Sequence, residues 1–275
     1  MSTEADEGDL TRKQRREQAR DQRKALEAAE AARGARRKRL TQLGVVATVV
    51  VVAIVAIAIA VGSGSSSKPP AKGSSAEASA IAAVNATVGG IPQAANVLGS
   101  PTAPVTLEYF GDLECPICRE FTLGALPTVI AKFVRTGKLR IEYRSLETAT
   151  REPETFKTQQ IAALATGKQN KMWYFVELFY HEQGEEDSGY VTESYLQGLA
   201  RQVPGLDLTK WTSDRNDPEL SNQVATDAQV ANSFGFNGTP SFLIEKTGGT
   251  PKKLPEVSLT EPSGFEEQIE AELKA

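Results

Sequence analysis

Cys115-Pro116-Ile117-Cys118 holds both cysteines of a 275-residue chain. One close pair with no other cysteine is not a framework of scattered staples. As a structural disulfide it would close so short a loop that chain entropy offers only about 2 kcal/mol, against about 3 for fifteen residues. A structural zinc site asks for two such pairs, or one pair and two histidines. This chain has one histidine, His181, more than sixty residues further on. The motif therefore reads as a pair that cycles between dithiol and disulfide, with no metal and no bound cofactor.

Upstream, Pro104-Val-Thr-Leu-Glu-Tyr-Phe110 has strand composition, and Gly111–Glu114 reads as a turn in which Glu114 is solvated. A helix is expected to start at the cysteines and to run through Phe121, Leu126, Val129 and Phe133, with Pro127 as a kink and Gly137 as its end. Leu139–Tyr143 alternates as a second strand. Residues 153–235 read as mainly helical. Their apolar stripes (Phe156/Gln160/Ala163/Leu164, Met172–Tyr180, Tyr195/Leu196/Leu199, Leu220/Val224/Ala228/Ala231) read as core, and Asp217-Pro218 is a helix start. Ser241–Ile244 is expected as a strand, Gly248-Gly249 as a turn, Leu254–Leu259 as a further strand, and Pro262–Leu273 as the last helix.

The N-terminal region is of another kind. Residues 1–42 carry 12 Lys/Arg and 8 Asp/Glu, net +4; of 31 and 35 in the whole chain this leaves 19 and 27 for the rest, net −8. An acidic remainder does not suggest a nucleic-acid surface. Leu43–Val61 is a run of 19 uncharged residues, apolar all round, long enough to cross a bilayer core of roughly 30 Å. Arg33 and Arg36–Arg39 precede it, and a Gly/Ser stretch follows. The positive-inside rule then puts the N-terminus in the cytoplasm and the rest outside. A cleaved signal peptide competes, because Ala58-Ile59-Ala60 has the small-x-small form of a cleavage site. The 42 residues that precede the run exceed a signal peptide's short basic head and favour an uncleaved signal anchor. The expected order is a basic cytoplasmic tail (1–42), a transmembrane helix (43–61), a flexible linker (62–83) and a folded domain (84–275) with a helical insertion at about 153–235. An extracytoplasmic domain lies where disulfides form and persist.

A strand, a C-x-x-C at the mouth of the next helix and a late Thr-Pro before a strand resemble the thioredoxin fold, and the helical block between resembles its DsbA-like branch. The matching segments are Gly90–Gln93, Leu98–Leu107, Cys115–Cys118 and Gly238-Thr239-Pro240-Ser241-Phe242. The resemblance implies an α/β thioredoxin-like domain with an inserted helical subdomain. It also implies that Pro240 is cis, that it sits beside the cysteines, and that Thr239 offers its backbone to an extended substrate. Relatives often carry a buried acid six residues before the first cysteine. Tyr109 stands there, and Glu108, one residue earlier, is expected on the opposite face of the strand.

At the head of a helix, Cys115 is expected to have a lowered pKa and to attack, with Cys118 buried one turn inside to resolve the mixed disulfide. Pro116 suits the first turn. Ile117 offers the thiolate no donor, unlike the histidine of the family's strongest oxidants, so an intermediate potential is expected. The expected function is a membrane-anchored thiol–disulfide oxidoreductase that forms disulfides in exported proteins. Its expected partners are exported proteins with thiols or disulfides, a membrane redox partner and the lipid bilayer. The alternatives are a reductase or isomerase with the same site, and a peptide-binding chaperone-like module.

Overall fold

The computed structural model describes residues 73–275. The basic tail (1–42), the apolar run (43–61) and the first part of the linker lie outside the described residues. Among those described, no helix is long and apolar enough to cross a membrane.

One six-stranded sheet has the order β1-β2-β4-β3-β5-β6. The strands are β1 Gln93–Ala94, β2 Val97–Leu98, β3 Val105–Gly111, β4 Leu139–Ser145, β5 Ser241–Lys246 and β6 Lys252–Lys253. β3 is parallel to β4 and antiparallel to β5, with Tyr109 opposite both Tyr143 and Phe242. A strand covered on both faces buries every side chain, and all seven residues of β3 are buried. On one face Leu107, Tyr109, Ile141 and Tyr143 join the main core. On the other, Phe110, Leu146, Ala231 and Leu243 form a smaller cluster.

The helices are α1 Ser75–Val88, α2 Pro116–Leu123, α3 Leu126–Val129 with a π turn at Ile130–Val134, α4 Pro153–Gly167, α5 Met172–His181, α6 Glu193–Gln202, α7 Leu208–Asp214, α8 Pro218–Ser233 and α9 Ser263–Lys274. Helices α4–α8 lie between β4 and β5 in sequence and form the expected helical insertion. The aromatic stripe of α5 is core, as its composition predicts: Trp173, Phe175, Phe179 and Tyr180 are fully buried.

Four expectations are corrected. First, the linker expected to reach residue 83 is helical from Ser75, and Val84 and Val88 of that helix join the core. The guanidinium of Arg135 caps its C-terminus, donating to the carbonyls of Ala86, Thr87 and Gly89 at 2.7–3.0 Å. Second, the helix after the cysteines breaks at Gly124. A Cβ there would stand 2.9 Å from Thr260 Cα and 3.0 Å from Leu259 O, so glycine lets that segment pass. The Ala125 N–H then bonds Leu259 O, and Pro127 sits in the first turn of α3. Third, the strand expected at Leu254–Leu259 is only the two-residue β6, just before it. Pro255 cannot donate to a ladder, and Leu259's carbonyl is committed to Ala125. Fourth, the stripe of α8 is buried at Leu220 and Ala231 but only half-buried at Val224 and Ala228, and Asp227, outside the expected stripe, is fully buried.

Candidate active site

The strand–turn–helix β3–α2 sets the cysteines at the C-terminal end of the central strand. Gly111 ends β3, and its bare Cα accommodates two rings: a Cβ would lie 2.9 Å from the Tyr143 ring and 3.2 Å from that of Tyr109. Cys115 is the N-cap of α2, and its sulfur accepts from the Cys118 N–H at 3.3 Å. Pro116 begins the helix, where no N–H is required. Both cysteines are free thiols; Cys115 is 5 % exposed and Cys118 wholly buried. Ile117, between them, is 43 % exposed.

The Thr239–Pro240 bond is cis, as the resemblance implies. Thr239 O lies 3.4 Å from Cys115 Sγ and accepts from the thiol. Cys115, Cys118, Thr239 and Pro240, some 120 residues apart in sequence, therefore meet at one point.

The two thiols are opposite in character. A hydrogen bond from the Cys118 side chain, then the Thr239 hydroxyl and the backbone N–H groups of Cys118 and Ile117, bring the Cys115 pKa down to about 6 against the cost of burial. Burial first, and then its hydrogen bond to Cys115 and the charge there, push Cys118 well above the usual thiol range. One sulfur is a ready thiolate and the other a held thiol, a split that suits stepwise exchange.

Around Cys118 stand tyrosine hydroxyls. Tyr109 Oη lies 3.2 Å from Tyr180 Oη and 3.5 Å from the Cys118 carbonyl, and Tyr180 Oη donates to Asp112 O at 3.0 Å. Glu108 points to the other face, as alternation predicts, and pairs with Arg144. Glu114, expected in solvent, is instead buried beside Cys115. Burial carries its pKa up to about 7, with Asp112 and Asp187 adding to the shift and a Thr150 hydrogen bond opposing it.

Sequence reasoning missed three residues here. Asp112, fully buried, accepts from the backbone of Glu114, Thr148, Ala149 and Thr150 at 2.9–3.1 Å. Thr148 Oγ1 lies 2.5 Å from Thr239 Oγ1. Gln183 donates to the carbonyls of Leu113 and Cys115 at 2.7 and 3.1 Å, tying the end of α5 to the cysteine turn. An acid in the turn before a C-x-x-C was a usable signal for Asp112. Thr148 and Gln183 act only through tertiary contact.

A family model described as thioredoxin matches residues 93–257, more than half of the chain. The chain belongs to the thioredoxin family. The probable disulfide bond formation protein D of Bacillus anthracis is 24 % identical to this thioredoxin-family protein over 160 residues, covering 56 % of the chain and 71 % of the relative. Its fold is shared with oxidised BdbD from Bacillus subtilis, at a TM-score of 0.56 and 22 % identity over 68 % of this chain and 97 % of the other. It is shared also with alpha-DsbA1 of Wolbachia pipientis, at a TM-score of 0.54 and 19 % identity over 65 % and 90 %. The helical insertion of this thioredoxin-family member is thus DsbA-like in fold.

Proposed function

We propose that this protein is a membrane-anchored extracytoplasmic enzyme that introduces disulfides into exported proteins through Cys115 and Cys118. The enzyme class is protein-disulfide oxidoreductase. One observation carries the direction: the asymmetry between a stabilised Cys115 thiolate and a buried Cys118 thiol, at the foot of the cis-proline loop.

The exchange begins with the Cys115–Cys118 disulfide. A substrate thiolate attacks Cys115 Sγ, the enzyme's S–S bond breaks, and Cys118 leaves with the electron pair and takes up a proton. A second substrate thiolate then attacks the substrate sulfur of the mixed disulfide. Cys115 leaves as a thiolate, and the substrate keeps a disulfide. Two electrons have passed from the substrate dithiol to the enzyme, and an electron acceptor in the membrane must take them before the next cycle. A stabilised leaving thiolate favours the reduced enzyme and makes the pair oxidising. Thr239 and Pro240 present backbone to the incoming chain, and exposed Ile117 meets it. The relative named for disulfide bond formation supports this reading, as does the basic tail and apolar run that would carry the domain outside.

The test is trapping. Cys118→Ser is expected to accumulate mixed disulfides with exported proteins, because the Cys115 thiolate can still attack a substrate disulfide, releasing one substrate thiolate, and Cys118 is no longer there to release the other. Cys115→Ser is expected to trap none. Equal trapping by both variants would overturn the assignment.

A further inference from the structure

The Asp112 carboxylate grips the 148–150 loop: Oδ2 accepts from the N–H groups of Thr148, Ala149 and Thr150 at 2.9–3.1 Å, and Oδ1 accepts from Thr150 Oγ1 at 2.6 Å. Such charge-assisted bonds, made by a wholly buried acceptor, fix the loop. The loop then offers one side chain to the cysteines' other neighbour. Thr148 Oγ1, itself exposed, lies 2.5 Å from Thr239 Oγ1. The Thr239 carbonyl accepts from the Cys115 thiol at 3.4 Å, which puts this residue against the sulfur, and its side chain is among the groups that lower the Cys115 pKa.

Each hydroxyl has one hydrogen and can accept as well as donate. If Thr239 gave its hydrogen to Thr148, it would turn lone pairs toward a thiolate and repel it. If Thr148 donates, the Thr239 hydrogen is free for the sulfur. Among the described residues Thr148 Oγ1 has no partner other than Thr239, so only solvent competes for its hydrogen. We infer that Thr148, held in place by Asp112, is a positioning residue that turns the Thr239 hydroxyl onto the Cys115 thiolate. The relay stabilises the reduced enzyme, because only that state carries the thiolate, and so makes the pair more oxidising. It rests on the reading of Cys115 as the reactive sulfur.

The test compares Thr148→Val, which keeps the shape and loses the hydroxyl, with Thr148→Ser, which keeps the hydroxyl. Two properties are read on the full-length protein: thiolate absorbance against pH, and the equilibrium in which the enzyme disulfide and two glutathiones give the dithiol and glutathione disulfide. Thr148→Val is expected to raise the Cys115 titration midpoint. It should also shift that equilibrium toward oxidised enzyme by about three- to tenfold, as for a hydrogen bond to a charged group in partial contact with water. Thr148→Ser is expected to match the parent. In a Thr239→Val background, Thr148→Val is expected to change neither property. An unmoved titration in Thr148→Val, an equal shift without Thr239, or a serine variant that behaves like valine would each overturn the relay. Failure of the underlying reading looks different: the parent itself would then not exchange with glutathione.

Discussion

At Cys115 the sulfur of a helix N-cap becomes a thiolate near pH 6, and the first cause is the thiol of Cys118. That cause can be isolated. Cys118→Ala removes the donor and is expected to carry the Cys115 midpoint back toward the usual cysteine range, whereas Cys118→Ser keeps an O–H and is expected to hold it low. Absorbance titration of the two variants decides. The sign for stability follows by linkage. A lowered pKa in the folded, reduced state contributes stability that is full above the unfolded cysteine's pKa of about 8.5 and is lost as pH falls through about 6. Denaturant titrations of reduced protein between these limits are expected to show that loss, and Cys115→Ala to remove it. Ile117 is the other lever. Its exposed side chain offers no donor, so Ile117→His is expected to lower the Cys115 midpoint further and to raise the potential, each 30 mV being about 1.4 kcal/mol. Both cysteines and the Thr239–Pro240 pair were legible in the sequence, because each is a local motif whose chemistry needs those residue types in that order. Asp112, Thr148 and Gln183 were not. Their roles exist only once loops from three parts of the chain converge, and no spacing encodes that.

Among the elements, α5 carries the clearest conflict between pattern and chemistry. Its apolar stripe was legible as core, yet Glu177 in the middle of the helix is also buried, and among the described residues neither of its carboxylate oxygens has a hydrogen-bond partner. Burial alone carries its pKa up to about 8, so it is held as a neutral acid at neutral pH. Here the folded pKa is raised, and the sign reverses: the folded state binds the proton that the unfolded state releases, so stability falls as pH rises from about 4.5 through 8. Glu177→Gln keeps the shape and abolishes the titration. The variant is expected to lose less stability than the parent over that span, by an upper bound of roughly 4–5 kcal/mol at 1.36 kcal/mol per unit. Parallel slopes of parent and variant in urea titrations from pH 5 to 9 would refute it. The elements themselves were read well where the period was long, as in α4–α6, and poorly at α1. The Ala/Ser-rich stretch looked like a tether, but alanine is the best helix former. Ser74 with Glu77 spaces a helix start, and Ser74 Oγ accepts from the Glu77 N–H at 3.1 Å. The two-residue strands β1, β2 and β6 are too short to leave a pattern at all.

For the whole molecule the decisive matter is the side of the membrane on which this site works. A stabilised Cys115 thiolate makes the pair oxidising, and the compartment then decides whether the disulfides made by it endure. The 19-residue run at Leu43–Val61 and the five basic residues between Arg33 and Arg39 favour a cytoplasmic N-terminus by the positive-inside rule. Protease added outside intact spheroplasts is therefore expected to cut within residues 62–74, ahead of the helix that begins at Ser75. It should release the thioredoxin-fold domain and leave a short membrane-bound stub. The freed domain is expected to keep its Cys115 titration, since every group that lowers that pKa lies beyond residue 114. A domain protected from the protease, or a mature chain that starts at Val61 and is not membrane-bound, would remove the single-pass anchor. The first result would also take away the oxidising compartment that the proposed direction of exchange requires. The second would leave that direction intact, because a secreted enzyme meets the same exported thiols.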